Sequence, residues 1–351
     1  MFKKISAALL SAAVIAAGIP AGIPVGRAES VPAADLFDLQ IAESGTLQDG
    51  GTYQLPLTFS GSYSAENRTA ANADGSYTGP AFVKSANRYA GLCADYSGQA
   101  GAVKAAMNDG FTVSVLFALD EVLSGECTLL GNAQSGGFTL VTMDGYIQFI
   151  LHVGGRYVTV QSQTQVQAGT LYAAAGVYNP DDGTLSVYIN GRLEASVSAA
   201  GSITHNLTAY GVAGIPRKAE DGNGYDGVAV TGLTSPKGAF FSARVYSGIL
   251  TAGQILAAYL KDLALEELPV PQSVKEVMRL IDAIGTVTAD SDEAITAAEN
   301  AYAALGDTEK KLVENYAVLT EARLQYRILT AAPAAFDENR IALRFGVAKT
   351  P

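Results

Sequence analysis

Two short apolar alternations separated by a pair of glycines carry the side chains best suited to hold a ligand. Residues 146–163 contain Gly154-Gly155 between these runs, and glycine at both central positions suits a tight hairpin turn with positive φ angles. In the register that this turn sets, apolar side chains share one face and polar or aromatic side chains the other. We call the second face the hairpin face; its residues are Tyr146, Gln148, His152, Tyr157 and Gln161.

The hairpin face has the chemistry of a sugar-binding surface. Aromatic rings pack against the C–H groups of a sugar, and amides bond to its hydroxyl groups. The register pairs His152 with Tyr157 and Gln148 with Gln161 across the two strands. An ordinary solvated surface is the alternative, because every strand of a sandwich also has an outward side.

A second candidate lies in an acidic, glycine-rich stretch, residues 220–226. Its Tyr225 and Asp226 would contact a sugar, and its oxygen atoms would suit Ca²⁺. The stretch lacks the spacing of a recognised calcium loop, so a solvated turn is the favoured interpretation and no cofactor is predicted.

Several classes of function lack the residues that they require. The carboxylate triplet ExDxxE of glucanases is absent, as is the GxSxG motif of serine hydrolases. Two histidines, His152 and His205, are too few for a metallophosphatase. The net charge of −11 repels phosphate backbones. We therefore predict neither an enzyme nor a nucleic-acid-binding protein.

The chain contains two cysteines, Cys93 and Cys127. A disulfide between them and a pair of buried thiols are both consistent with the sequence. Neither belongs to a CxxC pair, so no metal site is predicted.

Glycine divides the chain into two kinds of structure. Of the 37 glycines only Gly285, Gly306 and Gly346 follow Gly253. Frequent turns between short alternating segments predict a β domain over residues 35–262, in which one face of 111–119 enters the core. A linker at 263–271 and a three-helix bundle at 272–330 follow, the bundle suited to protein contacts. Residues 331–351 are interpreted as a linker or the start of another module.

The first residues resemble an export signal. Lys3 and Lys4 precede an apolar run that ends in small residues at Ala28, which predicts a signal peptide over 1–28. The alternative is an uncleaved membrane anchor. After cleavage no segment is apolar for long enough to span a membrane, so we expect a secreted or cell-surface protein.

Four motifs in order resemble the LamG-like jelly roll of the concanavalin A-like lectin/glucanase superfamily. They are FTVSVLFAL at 111–119, the glycine pair of the hairpin, GTLYAAAGVYNPDDGTLSVYINGRLEAS at 169–196, and ARVYSGILTAGQILAAY at 243–259. Leu116 and Leu171 replace tryptophans that are usual in the family, and we interpret both as core substitutions. Similar modules precede the catalytic domain of some bacterial metallophosphoesterases, and the helices resemble bacterial surface modules.

The resemblance implies a mainly β, two-sheet antiparallel jelly-roll sandwich, followed by the helical bundle. It also implies a non-catalytic carbohydrate-binding protein whose partner is a glycan or cell-surface polysaccharide. The alternative is a structural or adhesive module that positions a partner or a downstream hydrolase.

Overall fold

The computed structural model describes residues 29–84, 91–229 and 236–331. The expected signal peptide at 1–28 lies outside this range, as does the expected tail at 331–351 apart from Ala331. The chain divides into two compact units, one up to Leu268 and the other from Pro269.

The first sheet contains nine strands in the described part of the chain. They are β1 (Phe37–Ile41), β2 (Leu47–Asp49), β4 (Tyr63–Ala71), β5 (Ser76–Lys84), β7 (Phe111–Leu119), β12 (Leu171–Asn179), β13 (Thr184–Ile189), β14 (Arg192–Ser198) and β18 (Gly238–Tyr246). The strand order is β14-β13-β12-β7-β18-β1-β2. In addition, β5 pairs with β18 on one side and with β4 on the other.

The second sheet contains seven strands in the same described ranges. They are β3 (Leu57–Ser60), β6 (Gly91–Asp95), β8 (Glu126–Gly131), β9 (Phe138–Met143), β10 (Tyr146–Val153), β11 (Arg156–Gln165) and β15 (Ala209–Val212), in the order β11-β10-β9-β8-β15-β6-β3. A separate hairpin consists of β16 (Ile215–Lys218) and β17 (Tyr225–Ala229). The predicted two-sheet antiparallel sandwich is confirmed.

The main core lies between the two sheets and follows from the alternation of the strands. The inward side chains of β7 are at most 1% exposed, as the sequence predicted; they are Phe111, Val113, Val115, Phe117 and Leu119. From the second sheet, β10 contributes Ile147, Phe149 and Leu151, all fully buried. Because successive residues of a strand point to opposite sides, this core determines which residues face outward.

One open side of this core is closed by a short helical segment. It consists of the 3₁₀ helix Ser97–Gln99 and α1 (Ala100–Asn108). Val103 and Met107 of α1 are fully buried in the main core.

The outward side of the first sheet is covered by α2 (Ala252–Asp262). Leu116 and Leu171, at the positions of the family tryptophans, are buried there with Tyr259 of the helix. Both therefore fill a core, as the sequence predicted. The side chains of Arg244 and Asp262 form two hydrogen bonds of 2.9 Å each, which hold the end of the helix to β18.

The second unit differs from the three-helix prediction. In its described residues it has four helices: α3 (Gln272–Ala283), α4 (Asp292–Ala304), α5 (Asp307–Lys310) and α6 (Tyr316–Thr330). The expected third helix is divided after Lys310. At the break, the Asn315 amide donates to the Met278 carbonyl at 2.9 Å and to the Asp282 carboxylate at 2.8 Å. The segment between α5 and α6 is thus bonded to α3 instead of continuing as one helix.

The start of α4 and the exposed rings of this unit are also defined. The helix α4 begins at Asp292, and the preceding Ser291 accepts a hydrogen bond from the Thr288 N–H and caps no helical amide. Tyr316 is 39% exposed and stacks on Tyr302 with ring centroids 4.1 Å apart. In the described residues no helix is both long and apolar enough to cross a membrane.

Gly176 of β12 faces Phe149 of β10 closely across the two sheets. A Cβ on Gly176 would lie 2.4 Å from Cγ of Phe149, whose ring is fully buried. We expect Gly176→Ala to lower the free energy of unfolding by about 1–3 kcal/mol, because the facing ring must shift in a packed core. Chemical denaturation measures the loss.

The control is Gly101→Ala, since a Cβ on Gly101 in α1 meets no atom within 4 Å. Its expected effect is within about 0.5 kcal/mol or slightly stabilising. Equal stabilities for the two variants would contradict the close packing of Phe149 against Gly176.

Candidate functional site

The five residues of the hairpin face lie on β10 and β11. Gly154 and Gly155 form the turn with φ of 59° and 77°, conformations that glycine adopts without strain. His152 pairs with Tyr157 and Gln148 with Gln161, in the register that the sequence predicted. The structure therefore brings four of the five expected residues together as two cross-strand pairs.

The first pair is aromatic and stands beside the turn. The rings of His152 and Tyr157 are perpendicular, with centroids 4.7 Å apart. The Tyr157 hydroxyl accepts a hydrogen bond from the Gly136 N–H at 2.9 Å and lies 3.3 Å from the carbonyl of the same residue. The ring is nevertheless 43% exposed. It is thus a surface aromatic group held in one orientation.

The second pair lies four residues further along the strands. The Gln148 amide donates to the Gln161 side-chain oxygen at 2.7 Å. Each amide retains groups that can donate or accept further hydrogen bonds. The pair therefore presents both donors and acceptors to solvent.

Tyr146, the fifth residue, has a different partner from that of a regular hairpin. The register shifts between Tyr146 and Gln148, so that Tyr146 pairs with Gln165. The Ser162 hydroxyl accepts the hydrogen bond of the Ile147 N–H at 3.0 Å, which compensates for the interrupted ladder. Tyr146 is half-buried at the far end of the face.

Two loops that sequence reasoning did not connect to the site support its aromatic end. The Gly137 carbonyl accepts from the His152 N–H at 2.9 Å, and the His152 carbonyl accepts from the Thr204 N–H at 3.0 Å. The Nδ1 atom of His152 is buried and has no hydrogen-bond partner among the described residues. The glycine pair at 136–137 indicates a loop in the sequence. The contacts of this loop and of Thr204 with His152 join residues far apart in the chain, so no local sequence pattern predicts them.

The second candidate site is corrected by the structure. Tyr225 begins β17 and is 7% exposed, in a small core with Cys93 and Val228. Its hydroxyl accepts a hydrogen bond from the Thr208 N–H at 2.7 Å. Burial thus removes the ring from the surface that the sequence suggested.

The neighbouring Asp226 is occupied by an ion pair. Its carboxylate accepts from the Arg217 guanidinium at 2.8 and 3.1 Å. The β16–β17 hairpin lies over β6, which is near the opposite end of the strand order of the second sheet from β10 and β11. Tyr225 and Asp226 therefore do not join the hairpin face.

The two cysteines are buried thiols and are not bonded to each other. Cys93 belongs to the small core beneath β16 and β17. Cys127 pairs with Thr142, which pairs with the inward-facing Ile147. The two thiols therefore lie on opposite faces of the second sheet. Burial raises the pKa of the Cys93 thiol to about 12.

No group of three or more His, Cys, Asp or Glu side chains that would hold a metal ion occurs in the part of the chain that the structure describes. On the strands in register with β10, Glu126 of β8 has an outward position and is separated from Tyr146 by Met143 of β9. Burial raises the pKa of Glu126. The hairpin face itself carries amide, phenol and imidazole groups.

The two sheets and the outward hairpin define a jelly-roll sandwich of the lectin type. Comparison with protein families assigns residues 93–256 to a laminin G family described as the concanavalin A-like lectin/glucanases superfamily. This segment, from β6 into α2, is a domain of that superfamily. Comparison with curated proteins gives no match.

Similar solved structures include receptor-binding domains of botulinum neurotoxins. That of mosaic serotype C/D is 16% identical, with a TM-score of 0.45 and 65% of this chain covered. A structure of botulinum neurotoxin type C, whose cell entry is described as dependent upon interaction with two ganglioside molecules, has 11% identity, 64% coverage of this chain and a TM-score of 0.48. The binding domain of neurotoxin DC in complex with SialylT has 12% identity, 65% coverage and a TM-score of 0.44. The chain spans about half of each, 51%, 50% and 52% respectively.

His205, in one of the loops beside the site, should make the stability of the fold depend on pH. It lies next to Thr204, and its Nε2 is 2.9 Å from the Asn108 side-chain oxygen. Burial, with a smaller effect of Lys104, lowers the pKa of His205 from 6.5 to about 4. Because the folded state disfavours the protonated ring, stability present above pH 6.5 is lost as the pH falls towards 4.

We therefore expect the free energy of unfolding to fall less steeply in His205→Gln than in the unmodified protein between pH 6.5 and 5. The glutamine keeps a group that can bond to Asn108 and does not titrate. Denaturation at several pH values measures the difference, and parallel profiles would contradict the shifted pKa.

Proposed function

We propose that this chain is an exported, non-catalytic, lectin-like protein that binds carbohydrate through the hairpin face. The apolar run and small-residue end of residues 1–28 support export, and with it a secreted or cell-surface location. The superfamily of residues 93–256 supports the lectin-like role.

One observation carries the carbohydrate proposal. An exposed, fixed tyrosine ring and a pair of amides lie on the same outward face of a regular hairpin. The ring can pack against the apolar side of a sugar while the amides bond to its hydroxyl groups. Because the Tyr157 hydroxyl is already bonded to Gly136, little side-chain freedom remains to be lost on binding.

The residues also support a role without catalysis. The chain has no ExDxxE triplet, and glycoside hydrolysis requires two carboxyl groups on either side of the scissile bond. The hairpin face has no carboxyl group. Its functional groups are suited to holding a ligand.

For the helical unit we propose spacing or protein contact. Its described core is apolar, formed by residues such as Val274, Ile281 and Leu319. On α6, Val318, Leu324 and Ile328 are more than half exposed, which suits contact with a protein.

A glycan array tests the carbohydrate proposal. The unmodified chain should bind at least one class of glycan, and Tyr157→Ala should weaken that binding at least tenfold because the stacking ring is lost. His152→Ala should weaken it less, since the imidazole supports the phenol edge-on. Titration by calorimetry measures the affinities.

Two variants serve as controls. Tyr157→Phe keeps the ring and removes only the hydroxyl, so most of the binding should remain. Tyr316→Ala removes a tyrosine of similar exposure, 39% against 43%, from the helical unit and should leave the affinity unchanged. If the array shows no binding, or if binding survives both Tyr157→Ala and His152→Ala, the site is wrong and a structural or adhesive role is favoured.

A further inference from the structure

The hairpin face is part of a longer surface. The side chains of this surface carry no charge when the His152 imidazole is neutral. On β11 every second residue from Tyr157 onwards is exposed. We call these residues the β11 row; they are Tyr157, Thr159, Gln161, Gln163 and Gln165. The outward positions of β10 beside this row are Tyr146, Gln148, Ile150 and His152. None of the nine side chains is a carboxylate, an ammonium or a guanidinium.

Carboxylate groups lie around this surface. On β8 and β9 the outward positions in register with β10 include one charged residue, Glu126. Asp144, in the turn before β10, accepts a hydrogen bond from the Gly125 N–H. The Glu194 carboxylate accepts from the N–H groups of Gln163 and Thr164, both at 2.8 Å.

The strands β10 and β11 carry one Lys or Arg residue, Arg156, which is exposed at the turn. Arg156 pairs with Val153, whose side chain is buried in the main core, so Arg156 is not one of the alternate outward positions that form the β11 row. The chain as a whole carries a net charge of −11. The local and the overall charge therefore both oppose an anionic ligand.

The groups of the β11 row match hydroxyl groups. A hydroxyl both donates and accepts, as do the side chains of glutamine, threonine and tyrosine. A carboxylate or sulfate accepts only, and its strong partners in proteins are Lys and Arg. The row spans nine residues, 157–165, whose eight steps of roughly 3.3 Å give about 26 Å. This length exceeds a single sugar.

We infer that the site binds a neutral glycan chain lying along β11 and discriminates against sialylated, sulfated or uronic-acid glycans. The inference rests on the proposed function and specifies the class of its ligand. Tyr157 holds one end of the chain, Gln148 and Gln161 bond to the middle, and Gln165 reaches the far end.

The experiment compares neutral oligosaccharides of increasing length with acidic ones of the same length. We expect affinity to rise with length, and no acidic member to bind more tightly than its neutral counterpart. We also expect the affinity to be the same at about 50 mM and about 500 mM salt, because screening weakens only interactions between charges.

Two variants locate the chain. Gln165→Ala should weaken the binding of the longest oligosaccharides about fivefold and leave short ones unchanged, because one hydrogen-bonding group is lost at the far end. Tyr157→Ala should weaken all of them. Gln325→Ala, on α6, is the matched control and should have no effect.

The outcomes separate the inference from the proposed function. Absence of all glycan binding overturns both. Binding that depends on Tyr157 but favours acidic glycans, or that is as tight for a monosaccharide as for a long chain, leaves the lectin function standing and overturns the inference. Length-dependent, salt-independent binding of neutral chains supports it.

Discussion

The burial of one side of β10 and β11 between the two sheets is the constraint on which the outer surface depends. Ile147, Phe149 and Leu151 are fully buried, and Val160 on the neighbouring strand is 1% exposed. Since side chains alternate along a strand, a shift of one residue would exchange the two faces and expose these groups to water. Packing of the core therefore fixes the outward position of Gln148, His152, Tyr157 and Gln161.

Two other parts of the sandwich surface are covered by elements of the same unit. Helix α2 lies on the first sheet, where Tyr259 donates to Asp74 at 2.9 Å and Asp74 pairs with Arg192 at 2.8 Å. The β16–β17 hairpin lies over β6 and β15 of the second sheet, with Tyr225 inside. Edge strand β11 is tied to β14 through Glu194, which occupies backbone groups that an edge strand otherwise leaves open. The edge of the exposed hairpin face is thus held by a residue of the first sheet.

The sequence predicted most of the β domain because its signals are local. The glycine pair at 154–155 fixed the turn, and alternation then gave each cross-strand pair from Val153 and Arg156 to Gln148 and Gln161. The same reasoning was insufficient for Tyr225, where a glycine-rich stretch indicated a loop but the ring enters a small core. It was also insufficient for the third predicted helix. Its apolar spacing continues past Lys310, yet side-chain bonds from Asn315 to α3 interrupt it.

What the sequence by itself determined is the core face of individual strands, the hairpin register and the chemical character of the hairpin face, since each depends on residues close together in the chain; the sandwich was expected from the order of four motifs along the chain. What only the tertiary structure decided is which of these residues stay accessible and what holds them. Gly136 bonds to the Tyr157 hydroxyl across 21 residues, and Glu194 reaches the N–H of Gln163 across 31. The separation of Cys93 and Cys127 onto opposite faces of one sheet was likewise decided by the fold. Contacts between distant residues form when the sheets pack, and no local spacing records them.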